Sequence, residues 1–235
     1  MILLDFNQIA LSNIFIQKLN EENMIRHMIL NSIRMYNKKY RDEYGQMVIC
    51  CDGMNTWRRE YFPEYKANRK KHRETDDSQD WNEVFRVLDL VRTEIKEYLP
   101  YKVLHMDGCE ADDIIGALTL KTQEFGQDEP IMIISSDKDF IQLQKFKNVK
   151  QFSPMQKKLV KDKDGNPRTY LFNHIMRGDA GDGIPNVLSA DDTFISDKNQ
   201  SPLRQTRIDD WLEKSDNLRE CMDDNTYRNY QRNKK

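Results

Sequence analysis

Four aspartates stand at or shortly after the ends of short apolar runs of the chain: Asp5, Asp52, Asp137 and Asp139. Each run has the length of a buried β-strand. Open α/β folds bind their ligands at the carboxyl ends of the strands, where neighbouring parallel strands meet at one edge of the sheet. We therefore expect these carboxylates to lie close together in a site.

Five further acids stand in two other motifs, a predicted helix start in residues 108–116 and a glycine-rich turn in residues 178–185. They are Glu110, Asp112, Asp113, Asp179 and Asp182. Convergent carboxylates repel one another unless some take up protons or divalent cations neutralise them. Carboxylate oxygens without cysteine or histidine beside them favour Mg²⁺ or Mn²⁺ over zinc. The nine acids predict a metal centre, and two ions about 3.5–4 Å apart are a common device for phosphodiester hydrolysis.

Each acid also has an ordinary structural interpretation. A single strand-end aspartate such as Asp5 is more often a turn residue or a helix cap than a metal ligand. Glu110 and Asp113 are equally ordinary in the first turn of a helix, where the helix dipole favours negative charge. The coincidence of five acidic segments favours the metal site. Other aspartates lack such a context and are predicted to be solvated: Asp191, Asp192, Asp209 and Asp210.

Residues 57–73 combine cations with aromatic rings and show no core-facing periodicity. This stretch contains seven Lys or Arg and two Glu, a local excess of 7 − 2 = +5. A charge run is usually only a solvated surface, but cations bind phosphates and exposed rings stack on unpaired bases. We expect a mobile basic arch within residues 55–80 that holds nucleic acid. The residues assigned to this role are Trp57, Arg58, Arg59, Tyr65, Lys66, Arg69, Lys70, Lys71 and Arg73.

Strand and helix patterns alternate over the first 160 residues. Strands are predicted at residues 2–4, 47–51, 101–105 and 131–134, and a hairpin at 149–152 and 158–161. Amphipathic helices are predicted between them, around residues 25–36, 81–99 and 112–126. The alternation predicts an α/β core over residues 1–160, built on a central, mostly parallel sheet flanked by helices. Residues 161–235 are predicted to form a smaller helical region, with short helices at 207–213 and 218–230.

Composition limits the class of protein. The 235 residues are 38% hydrophobic and 32% charged with a net charge of −2, which allows one α/β core and a helical appendage. The four cysteines show no C-x-x-C spacing, which is typical of free thiols in a reducing compartment. No apolar run approaches the roughly 18 residues of a membrane span. We expect a cytoplasmic protein without a membrane partner, in the host cell if a phage encodes it.

Seven stretches together resemble the 5′-nuclease superfamily, which includes flap endonucleases and the 5′-nuclease domains of bacterial DNA polymerase I. They are residues 3–12, 57–59, 63–69, 110–113, 133–140, 148–155 and 178–185. They follow the family's order, and within the superfamily the likeness is greatest to the ribonucleases H of T-even type phages. The resemblance implies a 5′-nuclease or PIN-like α/β core with a small helix-turn-helix-type region that binds DNA.

The resemblance also implies an activity. It implies a Mg²⁺-dependent 5′→3′ exonuclease and flap endonuclease with ribonuclease H activity. Such an enzyme acts on nicked, flapped or RNA-primed duplexes and removes lagging-strand primers during phage replication. A single-stranded-DNA-binding protein or a sliding clamp is a further expected partner.

Residue roles follow from the same resemblance. Four acids match the first metal cluster: Asp5, Asp52, Glu110 and Asp112. Five match the acids that complete it and hold a second ion: Asp113, Asp137, Asp139, Asp179 and Asp182. The residues expected to act in catalysis are Asp5, Asp52, Lys66, Arg69, Asp112 and Asp137, with the two cations approaching the scissile phosphate. Gly181 and Gly183 match a turn whose amides, with a bound K⁺, bind duplex phosphates.

Two alternatives remain. A PIN-type endoribonuclease shares acids at strand ends, but it needs neither the basic arch nor the turn at Asp179 and Asp182. A non-catalytic module that binds branched DNA has no use for so many carboxylates beside a phosphate. A second glycine-rich turn of the helix-turn-helix variant is not recognisable, and residues 201–203 are its nearest candidate.

Overall fold

The computed structural model describes residues 1–17, 21–69, 80–161 and 166–235. The described residues divide into two compact units. The first unit contains residues 1–56 and 80–167, and the second contains residues 57–69 and 168–235. The predicted boundary instead assigned the whole arch to the nuclease core. Residues 57–69 group with the C-terminal residues because their side chains pack and hydrogen-bond there, as described below.

A six-stranded sheet forms the centre of the first unit. Its strands are β1 (Ile2–Asp5), β2 (Met47–Cys51), β3 (Lys102–His105), β4 (Ile131–Ile134), β5 (Val149–Ser153) and β6 (Lys158–Val160). They lie in the order β3-β2-β1-β4-β5-β6. All neighbouring strands are parallel except β5 and β6, which form the predicted hairpin. The predicted mostly parallel sheet is confirmed.

Helices connect the strands and build the second unit. The α-helices of the described residues are α1 (Phe6–Gln17), α2 (Glu22–Tyr44), α3 (Trp57–Tyr61), α4 (Trp81–Tyr98), α5 (Ala111–Lys121), α6 (Pro167–Arg177), α7 (Gln205–Glu213), α8 (Leu218–Cys221) and α9 (Asp224–Lys234). Short 3₁₀ helices span Glu124–Gly126, Lys138–Lys145 and Ser215–Asn217. No helix in these described ranges is long and apolar enough to span a bilayer.

The sheet buries both of its faces. Ile2 and Leu4 lie in one apolar core with side chains of α1, α2 and α4, whereas Leu3 lies in a second core with side chains of α5. Successive residues of a strand point to opposite faces, so a strand covered on both sides is apolar throughout. This double burial fixes the strand ends, and with them the acids that follow.

Local signals set most helix ends. Asp80 accepts hydrogen bonds from the amides of Asn82 and Glu83 at the start of α4, both at 3.1 Å. Gly45 follows α2 with a φ of +79°, a conformation that glycine adopts readily at the end of a helix. The prediction that α5 continues to Gly126 is wrong. The regular helix ends earlier because the backbone changes to 3₁₀-type bonds, in which the Gln123 amide donates to the Leu120 carbonyl at 3.1 Å.

The second unit has its own apolar core. It consists of Phe172, Ile175, Met176, Val187, Ile208, Trp211, Leu218, Met222 and Tyr230. The helix predicted at residues 207–213 is confirmed as part of α7. The helix predicted at residues 218–230 is two helices, because Met222 is extended and Asp223 caps a new start, with its carboxylate 2.9 Å from the Thr226 amide. Asp191, predicted to be solvated, pairs with Arg232 of α9.

The arm segment, defined here as residues 57–69, carries two buried aromatic side chains. Phe62 is 7% exposed and Tyr65 is 4% exposed. The Arg232 guanidinium lies 5.4 Å from the centroid of the Phe62 ring. Both side chains are buried although the sequence of this segment shows no core-facing periodicity. The remaining residues of the predicted arch, including Lys70, Lys71 and Arg73, lie outside the described residues.

Candidate metal centre and nucleic-acid interface

Asp5 lies at the point of the sheet where the strand order reverses. It is the last residue of β1, which pairs with β2 on one side and β4 on the other. The chain leaves β1 for β2 in one direction and later returns to add β4 on the other side. In an open parallel sheet, ligands bind in the crevice that this reversal creates at the carboxyl ends of the strands. Asp5 therefore occupies the expected position of a site.

The Asp5 carboxylate is buried, with 6% of the residue exposed. Its oxygens accept hydrogen bonds from the Gln8 amide at 3.1 Å and from the Ser135 hydroxyl at 3.0 Å. The pKa of Asp5 is raised to about 7, chiefly by burial; the nearby carboxylates of Asp52 and Asp137 add to this rise, and the two hydrogen bonds oppose it. This acid therefore holds its negative charge poorly without a neutralising partner.

Asp52, which follows β2, is held by two neutral donors. The Asn7 side-chain amide donates to one oxygen at 2.7 Å, and the Ala111 backbone amide donates to the other at 2.8 Å. Ala111 is the first residue of α5. Asp52 thereby ties the end of one strand to the start of the helix that carries the next acids.

The start of α5 carries Glu110, Asp112 and Asp113. Glu110 precedes the helix and is buried, with 8% of the residue exposed. The Asp113 carboxylate accepts a hydrogen bond from the Glu110 amide at 2.9 Å, which satisfies one amide at the helix start. Asp113 therefore has the capping role that the ordinary interpretation foresaw, and one of its oxygens is used there.

Asp137 and Asp139 follow β4 at a tight turn. The Asp137 carboxylate accepts a hydrogen bond from the Asp139 amide at 2.9 Å, and the Asp137 amide donates to the Ser135 hydroxyl oxygen at 3.1 Å. Ser135 is fully buried and also donates to Asp5. The Gln151 side-chain amide donates to the carbonyls of Ser135 and Asp137 at 3.0 and 2.5 Å. Ser135 and Gln151 thus fix Asp137 relative to Asp5.

Seven of the nine predicted acids lie in the first unit, at or directly after the ends of β1, β2 and β4 and at the start of α5. All seven offer carboxylate oxygens, which suit a hard divalent ion. The raised pKa of Asp5, caused chiefly by burial and in part by the carboxylates of Asp52 and Asp137, means that its charged form is unfavourable, and such an ion would relieve this. The residues present therefore fit a metal centre. The sequence interpretation did not single out Asn7, Ser135 or Gln151, although Asn7 stands only two positions after Asp5.

The other two acids lie on the glycine-rich turn of the second unit. The Asp179 carboxylate accepts hydrogen bonds from the amides of Gly181 and Asp182 at 2.7 and 3.2 Å. The backbone of Asp179 pairs with that of Ile184 in a short bridge. Gly183 has a φ of +73°, a conformation that other residues adopt at a cost. Asp179 therefore shapes the loop that holds Asp182.

Asp182 contacts three side chains of the arm segment. Arg69 donates to one carboxylate oxygen, and the Tyr65 hydroxyl donates to the other at 3.0 Å. The Lys66 ammonium lies 3.7 Å from that second oxygen. Burial raises the pKa of Asp182, and the charges of Lys66 and Arg69 oppose the rise. The two cations assigned to the scissile phosphate are here paired with an acid assigned to a metal.

Arg58 lies close to two aromatic rings of the arm segment. Its guanidinium is 4.8 Å from the centroid of Trp57 and 5.9 Å from that of Tyr65. The Lys66 ammonium lies 4.8 Å from the Tyr65 centroid. On α3, Trp57 is half-buried and Arg59 is exposed. The cations of this segment therefore contact its own aromatic rings. The sequence interpretation instead expected the cations and the rings to contact nucleic acid.

Known proteins match the chain in sequence. A model of the family described as 5′-3′ exonuclease, N-terminal resolvase-like domain, matches residues 1–168. The ribonuclease H of Enterobacteria phage T4 is 40% identical over 215 residues, which are 88% of this chain and 70% of that protein. A 5′-3′ exonuclease of Buchnera aphidicola is 31% identical over 156 residues, which are 64% of this chain and 50% of that protein.

Solved structures match the chain in fold. A T5 5′-exonuclease with bound divalent zinc ions superposes with a TM-score of 0.68 at 19% identity, covering 98% of this chain and 87% of that one. A T5 flap endonuclease in complex with DNA and metal ions superposes with the same TM-score of 0.68 at 20% identity, covering 99% and 88%. The fold, the family match and the T4 relative agree. The chain belongs to the 5′-3′ exonuclease family of the 5′-nuclease superfamily and is a nuclease of that class.

Proposed function

We propose that the protein hydrolyses phosphodiesters as a divalent-metal-dependent 5′→3′ exonuclease and flap endonuclease. The observation that carries this proposal is Asp5, a buried carboxylate at the strand-order reversal whose pKa is raised by burial and by the carboxylates of Asp52 and Asp137. A buried carboxylate with two other carboxylates nearby destabilises the folded protein unless a cation neutralises their charge. The family match indicates the reaction that the cation serves.

The proposed cofactor is Mg²⁺, with Mn²⁺ able to replace it. The first-unit residues that would hold the ions are Asp5, Asp52, Glu110, Asp112, Asp113, Asp137 and Asp139. When bound, such ions neutralise the phosphate and lower the pKa of the attacking water. Asn7 and Ser135 orient the carboxylates of Asp52 and Asp5 through the hydrogen bonds described above. Groups of this kind tune the affinity of a metal site.

The proposed substrates are DNA and RNA–DNA duplexes with 5′ ends, nicks or flaps. The T4 relative is a ribonuclease H, which supports RNA-primed duplexes and primer removal in phage replication. Lys66 and Arg69 are proposed to stabilise the charge of the phosphate that is cut. Contact with a single-stranded-DNA-binding protein or a sliding clamp, and action in the host cytoplasm, remain predictions.

A K⁺ ion at the glycine-rich turn also remains a prediction. The carbonyls of Ala180, Gly181 and Asp182 accept hydrogen bonds from Asn68, Arg69 and the Lys66 amide. A K⁺ ion would therefore have to use other oxygen atoms of the turn, or share these carbonyls with their present donors.

The activity is tested with three 5′-labelled substrates: a flap, a nicked duplex and an RNA–DNA hybrid. Each is incubated with Mg²⁺, with Mn²⁺ or with EDTA. We expect short products with either metal and none with EDTA, and the product lengths separate exonuclease from flap cleavage. The Asp5→Asn variant is the control for a contaminating nuclease. Binding of all three substrates without any cleavage would favour the non-catalytic DNA-binding module instead.

A further inference from the structure

The contacts of Asp182 join the arm segment to the glycine-rich turn. Both of its carboxylate oxygens are engaged, one by Arg69 and the other by the Tyr65 hydroxyl and the Lys66 ammonium. Side-chain exposure is 18% for Asp182 and 16% for Lys66. A largely buried carboxylate with two cations contributes more to local order than an exposed ion pair. Asp182 is therefore placed to hold the segment in one conformation.

Backbone contacts reinforce this attachment. The Lys66 amide donates to the Asp182 carbonyl at 2.7 Å. The Asn68 side chain donates to the Ala180 carbonyl at 2.8 Å, and the Arg69 Nε donates to the Gly181 carbonyl at 3.0 Å. Three successive residues of the turn thus accept hydrogen bonds from the arm segment. The segment follows the turn along its backbone and does not depend on one ion pair.

The close approach needs two unusual backbone positions. A Cβ added to Gly183 would lie 3.1 Å from the Glu64 carbonyl oxygen and 3.5 Å from the Lys66 amide nitrogen. Lys66 itself has a φ of +56°, a left-handed conformation that costs energy in a residue other than glycine. A strained residue persists where its surroundings hold it, and here the Asp182 carbonyl does so. The orientation of Lys66 is therefore set by the turn.

We propose that Asp182 is the positioning residue of the arm segment, which fixes Lys66 and Arg69 before substrate binds. This role rests on the proposed function, in which the two cations meet the scissile phosphate. It is a role besides the predicted one as a metal ligand: in this structure one carboxylate oxygen accepts from Arg69, and the other accepts from Tyr65 and pairs with Lys66. Substrate phosphate then replaces the carboxylate as the partner of cations that are already in place. Preorganised cations cost less to order on binding.

The attachment is tested by hydrogen exchange of the DNA-free protein in EDTA, followed at the Lys66 amide. We expect Asp182→Asn to accelerate this exchange by about tenfold, because it removes a charged acceptor. Asn68→Ala removes two neutral bonds of a half-buried side chain, one to the Ala180 carbonyl and one from the Arg69 amide, so it should fold and accelerate exchange by about threefold. Exchange at the wild-type rate in both variants would overturn the proposal. Asp210→Asn, which breaks the exposed pair with Lys214, is the matched control and should change nothing at Lys66.

Kinetics on a 5′ flap separate positioning from mere stability. Asn68→Ala should lower kcat by about fivefold and leave KM within about twofold, because displaced cations stabilise the charge on the scissile phosphate less well. A rise in KM with kcat unchanged would overturn the positioning role. Asp5→Asn is expected to abolish cleavage while Lys66 exchanges as in wild type. If wild type does not cleave, the proposed function fails, yet the exchange experiment still decides whether Asp182 anchors the segment.

Discussion

The strand-end acids of the first unit and the acid on the turn of the second unit are held by different kinds of donor. Asp5 and Asp52 accept hydrogen bonds from neutral groups, a serine hydroxyl, an asparagine amide and backbone amides. Asp182 accepts from an arginine and pairs with a lysine. Neutral donors orient a carboxylate without cancelling its charge, whereas cations cancel it within the protein.

The difference indicates two uses for a buried acid. Where the charge is left in place, as at Asp5, a cation from solution can complete the site. Where the charge is cancelled, as at Asp182, the acid holds other parts of the protein. Sequence position alone did not separate these uses, because both acids belong to motifs of the same family. Substitutions that remove charge but keep shape should separate them.

The largest expected contrast is between Asp137→Asn and Asp182→Asn. Asp137→Asn should lower kcat on a flap substrate by about 10³-fold or more and leave DNA binding intact, because it removes a charge proposed to hold metal. Asp182→Asn should lower kcat by only about tenfold, because Lys66 and Arg69 remain in the protein and lose only their positioning partner. Steady-state kinetics and binding in EDTA measure both. Full Mg²⁺-dependent activity of Asp137→Asn would contradict the metal role, and equal losses in kcat would remove the contrast between the two regions.

The second contrast concerns pH. The folded-state pKa of Asp5 is raised to about 7 from an ordinary 3.8, so the protonated acid favours the folded state. The Asp5 contribution is therefore fully present below about pH 4 and is lost as pH rises towards 7, at up to about 1.4 kcal/mol per pH unit. Urea unfolding in EDTA at several pH values, for wild type and Asp5→Asn, measures this contribution as the difference between the two proteins.

The change with pH in the stability difference between wild type and Asp5→Asn tests whether the pKa of Asp5 is raised. Wild type should lose stability relative to Asp5→Asn between pH 4 and 7, and added Mg²⁺ should restore it by binding the folded state. A difference that is independent of pH would mean that the pKa of Asp5 is not raised in the folded protein, because donors within the protein already stabilise its charge. That result would remove the distinction between the two regions.

Much of the first unit could be predicted because its signals are local. The apolar runs before Asp5, Asp52 and Asp137 are buried strands, and parallel pairing brings their ends to one edge of the sheet. Ser135 and Gln151 were missed because a single polar residue carries no periodic pattern. Their roles depend on hydrogen bonds across neighbouring strands, which only the register of the sheet defines.

The arm segment could not be predicted in the same way. Tyr65 is buried through a contact with Asp182, 117 residues away in sequence. The basic and aromatic composition predicted an exposed strand-binding surface, and composition does not reveal a partner so distant. The stacking role assigned to Tyr65 and the phosphate roles assigned to Lys66 and Arg69 remain predictions.

A smaller effect is expected from Asn7→Ala. It removes the side-chain donor to Asp52 but leaves the Ala111 amide in place, so the carboxylate keeps one of its two contacts. Loss of such a supporting group typically lowers metal affinity or activity by about 10-fold or more. The Mg²⁺ concentration for half-maximal cleavage should rise accordingly. An unchanged Mg²⁺ requirement would show that Asp52 needs no orientation by Asn7.

The smallest expected effect is a difference between Gly45→Ala and Gly183→Ala. Both glycines have a positive φ, +79° and +73°, so alanine should cost about 1–2 kcal/mol at each. An added Cβ meets nothing within 4 Å at Gly45, but lies 3.1 Å from the Glu64 carbonyl oxygen at Gly183. Gly183→Ala should therefore also push the arm segment from the turn and speed exchange at Lys66, which Gly45→Ala should not. Equal exchange at Lys66 in both variants would mean that the segment can shift without losing its contacts.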